Sequence, residues 1–368
     1  MISVCVATYN GEKYIAQQLR SILSEIGDED EVIVSDDGSR DATLPIIASL
    51  KDKRIKIYHN ERHGFKWNFQ NAMNHAAGDV IFLSDQDDMW LKGKKDRCLK
   101  MLEEYDLVVH NSKLADENLK VYCESFFSFY HSGKGILKNA LNNTYFGACM
   151  AFKRSIMEVA LPLPETNEIG HDIWLGLVAE MTGRVSFLAE PLIIYRRHEG
   201  AQTNLKQSLL HRSKRSFWVK VWSRVIVLKE VMKFYIRIII KYLIIFFQNS
   251  KSENNLISTN FSCKKILGLF PNSFILYKFV AIINIKFMLS KSSSTKLKLL
   301  LFLSPFSSFC IKLTQSFNAL AILLKLNSLI KIFPFILKLF ISCNKFFLFF
   351  LSVKNSSVFL LYILSLSL

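Results

Sequence analysis

Short apolar runs alternate with helix-like segments through residues 1–90 of this chain. The runs are rich in β-branched residues and predict strands at residues 2–8, 31–35, 54–58 and 80–83. The segments between them predict helices at residues 12–23, 41–50 and 65–77. Strands without polar alternation are typical of a parallel sheet that is covered on both faces. The pattern therefore predicts an α/β fold in which helices flank a mostly parallel sheet.

The pattern is less regular between residues 92 and 204. It predicts helices at residues 92–104 and 171–181 and strands at residues 107–110, 144–152 and 185–188. Residues 113–143 have no clear periodicity. These elements complete one α/β domain that ends near residue 205.

Polar residues stand where three of the predicted strands end. They are Thr8, Tyr9 and Asn10 after the first strand, Asp36 and Asp37 after the second, and Asp85, Asp87 and Asp88 after the fourth. Open parallel sheets bind ligands at the carboxyl ends of their strands, so we expect one site there. Clustered carboxylates repel one another unless a cation compensates them, and hard oxygen ligands suit Mg²⁺ or Mn²⁺. The alternative is an acidic turn before a basic helix start at residues 92–95.

Several sequence motifs are absent, and their absence narrows the class of protein. The chain has neither GxGxxG nor GxxxxGK[ST], so a bound diphosphate would be held through the metal. Its seven cysteines include no CxxC pair and no zinc-like spacing with histidine, which is typical of thiols in a reducing compartment. The first residues include no basic segment of the kind that opens a secretory signal, and we expect none.

Charge divides the chain near residue 205. Residues 1–204 hold 23 Lys and Arg against 29 Asp and Glu, whereas residues 205–368 hold 24 against 2. In residues 206–250, cations interleave with apolar and aromatic residues; they include Arg212, Lys214, Arg215, Phe217, Trp218, Val219, Lys220, Val221, Trp222, Arg224 and Lys229. This composition predicts an amphipathic helix at the surface of an anionic membrane. No recognition motif accompanies the cations, so we expect no nucleic-acid partner.

Residues 251–368 have an unusual composition. Only eight of these 118 residues are Gly, Ala, Val, Asp or Glu, and the longest uncharged stretch is the 14 residues 355–368. That stretch is shorter than the roughly 18 to 20 residues of a membrane-spanning helix. The five depleted residue types all have codons that begin with G. Two interpretations remain: a membrane-associated tail, or a low-complexity product of a frame-shifted or degenerate gene end.

Five motifs of the first 204 residues resemble those of one enzyme family. They are VATYNG at 6–11, VSDDGS at 34–39, LSDQDDMW at 83–90, HDIW at 171–174 and EPLIIYRRH at 190–198. In this order they resemble family 2 glycosyltransferases of the GT-A, nucleotide-diphospho-sugar transferase fold. The resemblance is greatest to the bacterial rhamnosyltransferase-like enzymes that assemble O-antigen and capsule polysaccharides. It implies a nucleotide-sugar-binding half at residues 1–105 and an acceptor half at residues 106–205.

The resemblance implies a role for each matching residue. The nucleotide-sugar ligands would be Thr8, Tyr9, Asn10, Asp37, Asp85 and Asp87. The DxD element formed by Asp85 and Asp87, with Asp88 beside it, would hold Mn²⁺ or Mg²⁺, and His198 matches a position that completes the metal shell in some relatives. Asp172 matches the catalytic base of inverting members. From the residues alone, Asp172 is equally explained as a helix N-cap.

The resemblance also implies a function and partners. A metal-dependent, inverting glycosyltransferase would move a sugar from a nucleotide-diphospho-sugar to a lipid-linked oligosaccharide in cell-surface polysaccharide biosynthesis. We expect it in the cytoplasm, peripheral on the inner face of the plasma membrane. Two alternatives remain open: an inactive pseudogene product or sugar-nucleotide-binding remnant, which the tail favours, and a metal-dependent phosphohydrolase that uses the same carboxylates. The sequence identifies neither the sugar nor the linkage.

Overall fold

The computed structural model describes residues 1–198 and 216–252. Their strands are β1 (Ile2–Thr8), β2 (Glu31–Asp36), β3 (Ile55–His59), β4 (Val80–Asp85), β5 (Met89–Trp90), β6 (Leu107–Ala115), β7 (Val121–Cys123), β8 (Met150–Lys153) and β9 (Val185–Arg196). Their helices are α1 (Ile15–Leu23), α2 (Thr43–Ser49), α3 (Phe65–His75), α4 (Lys94–Leu102), α5 (Phe126–Tyr130), α6 (Ile136–Leu141), α7 (Arg154–Ala160), α8 (His171–Thr182) and α9 (Phe217–Ser252). Arg212, Lys214, Arg215 and the tail beyond residue 252 lie outside the described residues.

The strands form one sheet in the order β3-β2-β1-β4-β8-β6-β9-β5, with β7 paired to β6. The first four strands pair in parallel, as predicted. β8 is antiparallel to both β4 and β6, and β6 is parallel to β9. Because two reversals cancel, β6 and β9 run in the same direction as β1 and β4. The predicted α/β fold with a mostly parallel sheet is confirmed, and the carboxyl ends of six strands, β1 to β4, β6 and β9, share one edge.

Burial explains why the four N-terminal strands were recognisable. All seven residues of β1 and all six of β2 are buried, whereas β3 lies at the edge and exposes part of its length. Helix α1 contributes Ile15, Leu19 and Ile22, which are spaced at helical intervals and fully buried. The core is therefore continuous from the sheet into the helices that cover it.

The strand predicted at residues 144–152 is wrong over most of its length. Only Met150–Lys153 is extended, and Gly147–Cys149 forms a 3₁₀ turn before it. The backbone N–H of Thr144 donates to Asn139 Oδ1 at 3.0 Å, and that of Tyr145 donates to Asn143 Oδ1 at 3.0 Å. Side chains thus satisfy the donors that a neighbouring strand would otherwise satisfy.

Helix α9 packs against the α/β domain. Val227, Val231 and Phe234 are buried, and the ring of Phe234 meets that of Trp174 edge-on at 5.3 Å between centroids. Ser223 Oγ donates to Glu168 Oε2 at 2.5 Å. Within the described part of the chain, no helix is both long and apolar enough to cross a membrane.

Candidate active site

Three aspartates form an acidic cluster where β4 ends. One carboxylate oxygen from each of Asp85, Asp87 and Asp88 lies within 4.8 Å of the others. Asp85 Oδ1 and Asp88 Oδ2 are buried and have no hydrogen-bond partner. Buried carboxylate oxygens without donors are costly, and hard oxygen ligands at this spacing fit Mg²⁺ or Mn²⁺. The residues present therefore fit a divalent cation.

Burial and mutual repulsion change how the cluster titrates. Burial raises the pKa of Asp85 to about 8, with smaller contributions from the charges of Asp87 and Asp172. Burial, again followed by the neighbouring aspartates, raises the pKa of Asp88 well above its usual range. The carboxyl of Asp85 thus favours its protonated form at neutral pH unless a cation is bound, and the pKa of Asp88 is shifted in the same direction. The charge of Asp172 acts on Asp85, so these two side chains lie near each other.

Arg196, at the end of β9, and His198, just after it, contact the acidic cluster. His198 Nε2 lies 2.8 Å from Asp87 Oδ2. The backbone N–H of Arg196 donates to Asp88 Oδ1 at 3.1 Å, and its Nε donates to the carbonyl oxygen of Asp87 at 2.7 Å. The structure therefore brings His198 to the acids, although its part in metal binding stays a prediction.

Lys94 lies within the electrostatic reach of the cluster, and sequence reasoning missed it. Its side chain is fully buried, and Nζ donates to the carbonyl oxygen of Ala148 at 3.1 Å and lies 4.0 Å from the centroid of the Trp90 ring. Burial lowers the pKa of Lys94 to about 8, against the opposing effect of the nearby acids. Lys94, Cys98 and Leu102 form the buried face of α4, and that spacing was the available signal.

In the loop after β1, one side chain is exposed and two are hydrogen-bonded to the neighbouring loop and strand. Tyr9 is 53% exposed and is available to a ligand. Thr8 is buried, and its hydroxyl is within hydrogen-bond distance of Ser35 O and Asp36 Oδ1. Asn10 has a φ of 48°, and its side-chain oxygen accepts the N–H of Arg40 at 2.9 Å. Thr8 and Asn10 therefore shape this loop and join it to the end of β2.

Gln86 connects this loop to the acidic cluster. Its Oε1 accepts the N–H of Tyr9 at 2.9 Å, and its Nε2 donates to the carbonyl oxygen of Tyr9 at 3.0 Å. Gly11 permits this pairing, because a Cβ there would lie 2.7 Å from Gln86 Cδ and collide with Oε1. The middle residue of the DxD element therefore holds the backbone of the predicted nucleoside loop.

Asp37 lies at the same edge and is engaged by the loop after β3. Asn60 Nδ2 donates to Asp37 Oδ1 at 2.8 Å, and the N–H of Gly64 donates to Oδ2 at 2.8 Å. His63 Nδ1 is 3.2 Å from Asp37 Oδ1. A nucleobase that bonds to Asp37 would share its carboxylate with these groups.

Asp172 lies in the first turn of α8. Gly170 occupies the N-cap position, so the alternative interpretation of Asp172 as the cap is wrong. Its Oδ1 accepts the N–H of Ile173 at 2.7 Å, and its Oδ2 accepts from Asn143 Nδ2 at 3.3 Å. These contacts hold the carboxylate in place at the start of α8.

His171 precedes Asp172 and is nearly fully buried. Its ring stacks on Phe69 at 4.1 Å between centroids and meets Phe65 edge-on at 5.2 Å. Burial lowers the pKa of His171 to about 4, so the ring is neutral at pH 7. Aromatic packing of this neutral ring holds the start of α8 against α3. Its role was not apparent from the sequence, because it depends on partners from α3.

The acidic cluster lies at the carboxyl edge of a mostly parallel sheet, where open α/β sheets bind their ligands. Residues 3–160 match the model of the family described as Glycosyl transferase family 2. The resemblance to this family is thereby confirmed, and the motifs at 6–11, 34–39 and 83–90 lie within the matched residues. The roles of the individual site residues stay predictions.

Curated relatives are similar along the same region. The putative glycosyltransferase EpsH of Bacillus subtilis is 30% identical over 229 residues, which cover 58% of this chain and 65% of EpsH. The dTDP-rhamnosyl transferase RfbG of Shigella flexneri is 28% identical over 254 residues, covering 62% and 82%. The GalNAc(5)-diNAcBac-PP-undecaprenol beta-1,3-glucosyltransferase of Campylobacter jejuni is 29% identical over 143 residues, covering 38% and 44%. The chain thus spans less than two thirds of the length of several relatives.

Among solved structures, S. aureus TarS 1-349 in complex with UDP-GlcNAc is similar with a TM-score of 0.46 and 23% identity. The alignment covers 54% of this chain and 59% of that chain.

Proposed function

We propose that this protein is a metal-dependent, inverting glycosyltransferase that uses a nucleotide-diphospho-sugar donor. The observation that carries the proposal is the acidic cluster with its two unpartnered buried oxygens. Asp85, Asp87, Asp88 and His198 would hold Mn²⁺ or Mg²⁺. When bound, the cation would neutralise charge on the departing nucleotide diphosphate.

Asp172 is proposed to act as the general base. Its carboxylate is held by Ile173 N–H and Asn143, and its charge acts on Asp85 across the cleft. It would take the proton from an acceptor hydroxyl that attacks the sugar on the face opposite the diphosphate. A single in-line displacement of this kind inverts the anomeric centre.

The donor-binding residues are proposed to include Tyr9, in the loop after β1, and Asp37, after β2. Tyr9 presents an exposed ring on which a nucleobase or ribose can pack, and Asp37 offers carboxylate oxygens to base N–H groups. Thr8 and Asn10 support the loop that carries Tyr9, through the bonds that they make to the end of β2 and the residues after it. Asp85 and Asp87 would then lie beside the ribose and diphosphate of the same donor.

The acceptor is proposed to be a lipid-linked oligosaccharide in cell-surface polysaccharide biosynthesis. The Campylobacter jejuni relative is named for an acceptor on PP-undecaprenol, and RfbG is named as a dTDP-rhamnosyl transferase. Such an acceptor would place the enzyme in the cytoplasm, peripheral on the inner face of the plasma membrane.

A donor panel with a matched pair of variants tests this function. Purified full-length protein is incubated with nucleotide-diphospho-sugars and a polyprenyl-diphosphate-linked sugar, in Mn²⁺ or in excess EDTA, and the anomeric configuration of the product is read by NMR. We expect transfer with inversion that EDTA abolishes. Asp172→Asn should lower transfer about 10²- to 10⁴-fold with donor binding unchanged, because only the base is removed. Asp96→Asn, an exposed control on α4, should transfer normally.

Three results would contradict the proposal. Transfer that persists in EDTA would show that the reaction needs no metal. Transfer at the wild-type rate by Asp172→Asn would show that Asp172 is not the base. Release of nucleotide without any sugar transfer, on every acceptor tried, would instead indicate the phosphohydrolase.

A further inference from the structure

Helix α9 has two faces of opposite character. One face packs on the domain through Ser223, Val227, Val231 and Phe234, at helical spacings of four, four and three. The opposite face carries the exposed side chains Trp218, Trp222, Lys229, Met232 and Lys233, and the exposed Val219 and Arg237 lie at its border. Docking on the domain therefore fixes which way the second face points.

The exposed face combines large apolar side chains with cations. Trp222 is 56% exposed, Met232 47% and Val219 46%. Between residues 217 and 252 the chain has seven Lys and Arg and one acid, Glu230, which pairs with Lys233 at 2.7 Å. Exposed tryptophans beside lysines and arginines are typical of helices that lie in the headgroup region of a bilayer.

We propose that this face of α9 docks the enzyme on an anionic phospholipid surface. Trp222 and Met232 would enter the interface, while Lys229 and Arg237 pair with lipid phosphates. Because the opposite face is anchored to the domain by Val227 and Phe234, the helix would lie flat on the bilayer and carry the domain with it. The inference rests on the proposed function only in that a lipid-linked acceptor lies at such a surface.

Charge favours lipid over the other occupants of this face. The chain beyond residue 252 has 13 lysines and one acid, so it carries the same sign as the α9 cations. A second copy of α9 would likewise bring cations against cations. An anionic bilayer complements them, and each cation near its surface strengthens partitioning about fivefold.

Vesicle flotation with the full-length chain tests the proposal without requiring activity. We expect binding to phosphatidylcholine vesicles that contain phosphatidylglycerol, little binding to pure phosphatidylcholine, and weakening by salt. The double variant Lys229→Glu with Arg237→Glu should lower the partition coefficient about 25-fold or more, because two cations are lost and two acids added. A control with the same change of charge, Lys53→Glu with Lys100→Glu, replaces exposed lysines of the α/β domain and should bind as the wild type does.

A second variant separates the apolar contribution from charge. Trp222→Ala should lower binding at least several-fold while circular dichroism and Tm stay at wild-type values, because the side chain is exposed. The proposal is overturned if both α9 variants bind like the wild type, or if the control variant loses as much binding as the α9 pair. Absence of vesicle binding together with a dimer that Trp222→Ala dissociates would instead identify a second copy on this face. Loss of sugar transfer with intact vesicle binding would contradict only the proposed function.

Discussion

At the scale of single residues, the acidic cluster holds more buried charge than its protein neighbours compensate. Asp85 Oδ1 and Asp88 Oδ2 lack donors, while Lys94 donates to the carbonyl oxygen of Ala148. The acids were recognisable from the sequence because they directly follow an apolar run. Lys94 was harder to recognise, since only its spacing with Cys98 and Leu102 along α4 indicated that it is buried. Polar residues with tertiary partners are thus the part of the site that sequence patterns miss.

Metal affinity should depend on pH because a cation must displace protons from the cluster. With the pKa of Asp85 raised to about 8, binding between pH 6 and pH 8 releases a proton, so the Kd for Mn²⁺ should fall by up to about tenfold per pH unit and level off above pH 8. Calorimetry in buffers of different ionisation enthalpy measures both the Kd and the proton release. A Kd that is constant across this range would show that Asp85 is ionised before the metal binds.

The raised pKa of Asp85 also affects the stability of the metal-free protein, but there a rise in pH is unfavourable. A raised pKa means that the ionised carboxylate is disfavoured in the folded state. The contribution of Asp85 to the free energy of unfolding should therefore decline as pH rises from about 4 towards 8. Added Mn²⁺ should raise Tm more at pH 8 than at pH 6.

Gln86 should act as a positioning residue for the donor. Gln86→Met keeps the length of the side chain and removes both hydrogen bonds to Tyr9, so the nucleoside loop loses its link to the acidic cluster. Two bonds of about 1 kcal/mol each predict a rise in donor KM of about thirtyfold, with a smaller change in kcat. Initial rates over a donor titration measure both constants.

Gln70→Met is the matched control for Gln86. It also removes one bond to a backbone N–H, that of Leu163 at 2.7 Å, but away from the donor loop. Its donor KM should stay within about twofold of the wild type. If the two variants raise donor KM equally, the effect belongs to general destabilisation and Gln86 does not position the loop.

At the scale of elements, the buried strands were the ones that the sequence pattern predicted best. β1, β2 and β4 were predictable because strands covered on both faces read as unbroken apolar runs. The region of α5 and α6 gave no pattern, because short helices of five and six residues contain too few turns to show a period. The 3₁₀ turn at Gly147–Cys149 was mistaken for a strand, because small apolar residues fit either conformation.

The docking of α9 can be tested on two neighbouring residues with opposite environments. Phe234 is 8% exposed and contacts Trp174, so Phe234→Ala should lower the free energy of unfolding by about 3 kcal/mol. Met232 is 47% exposed, and Met232→Ala should change it by less than about 0.5 kcal/mol. Urea denaturation measures both. If Phe234→Ala and Met232→Ala had equal free energies of unfolding, α9 would not unfold cooperatively with the α/β domain.

At the scale of the whole molecule, the candidate site residues lie in the acidic part of the chain, whereas the excess of cations lies beyond it. Every candidate site residue lies between Thr8 and His198, whereas residues 205–368 hold 24 Lys and Arg and only 2 acids. The sequence indicated this division from charge alone. It did not indicate that α9 returns to pack on the domain, because that contact depends on the surface that α8 presents.

A chain ending at residue 252 should retain the donor site. It keeps the α/β domain and α9, so the donor nucleotide should bind in Mn²⁺ with a Kd within about twofold of the full chain. Calorimetry on both proteins makes the comparison, with Asp87→Asn as the non-binding control. Loss of nucleotide binding by the shorter chain would show that residues 253–368 support the fold, which the interpretation of a frame-shifted gene end does not allow.

The contact between Asp87 and His198 has a consequence for how the protein is made. The two residues are 111 positions apart, yet Nε2 and Oδ2 meet at 2.8 Å across the strands β5 and β9. A nascent chain that has not yet released His198 from the ribosome has only the acidic half of this site. Its buried carboxylates then lack both the imidazole and the backbone donor of Arg196. Metal loading should therefore follow completion of β9 during synthesis, and ribosome-bound chains of increasing length would acquire Mn²⁺ affinity in one late step.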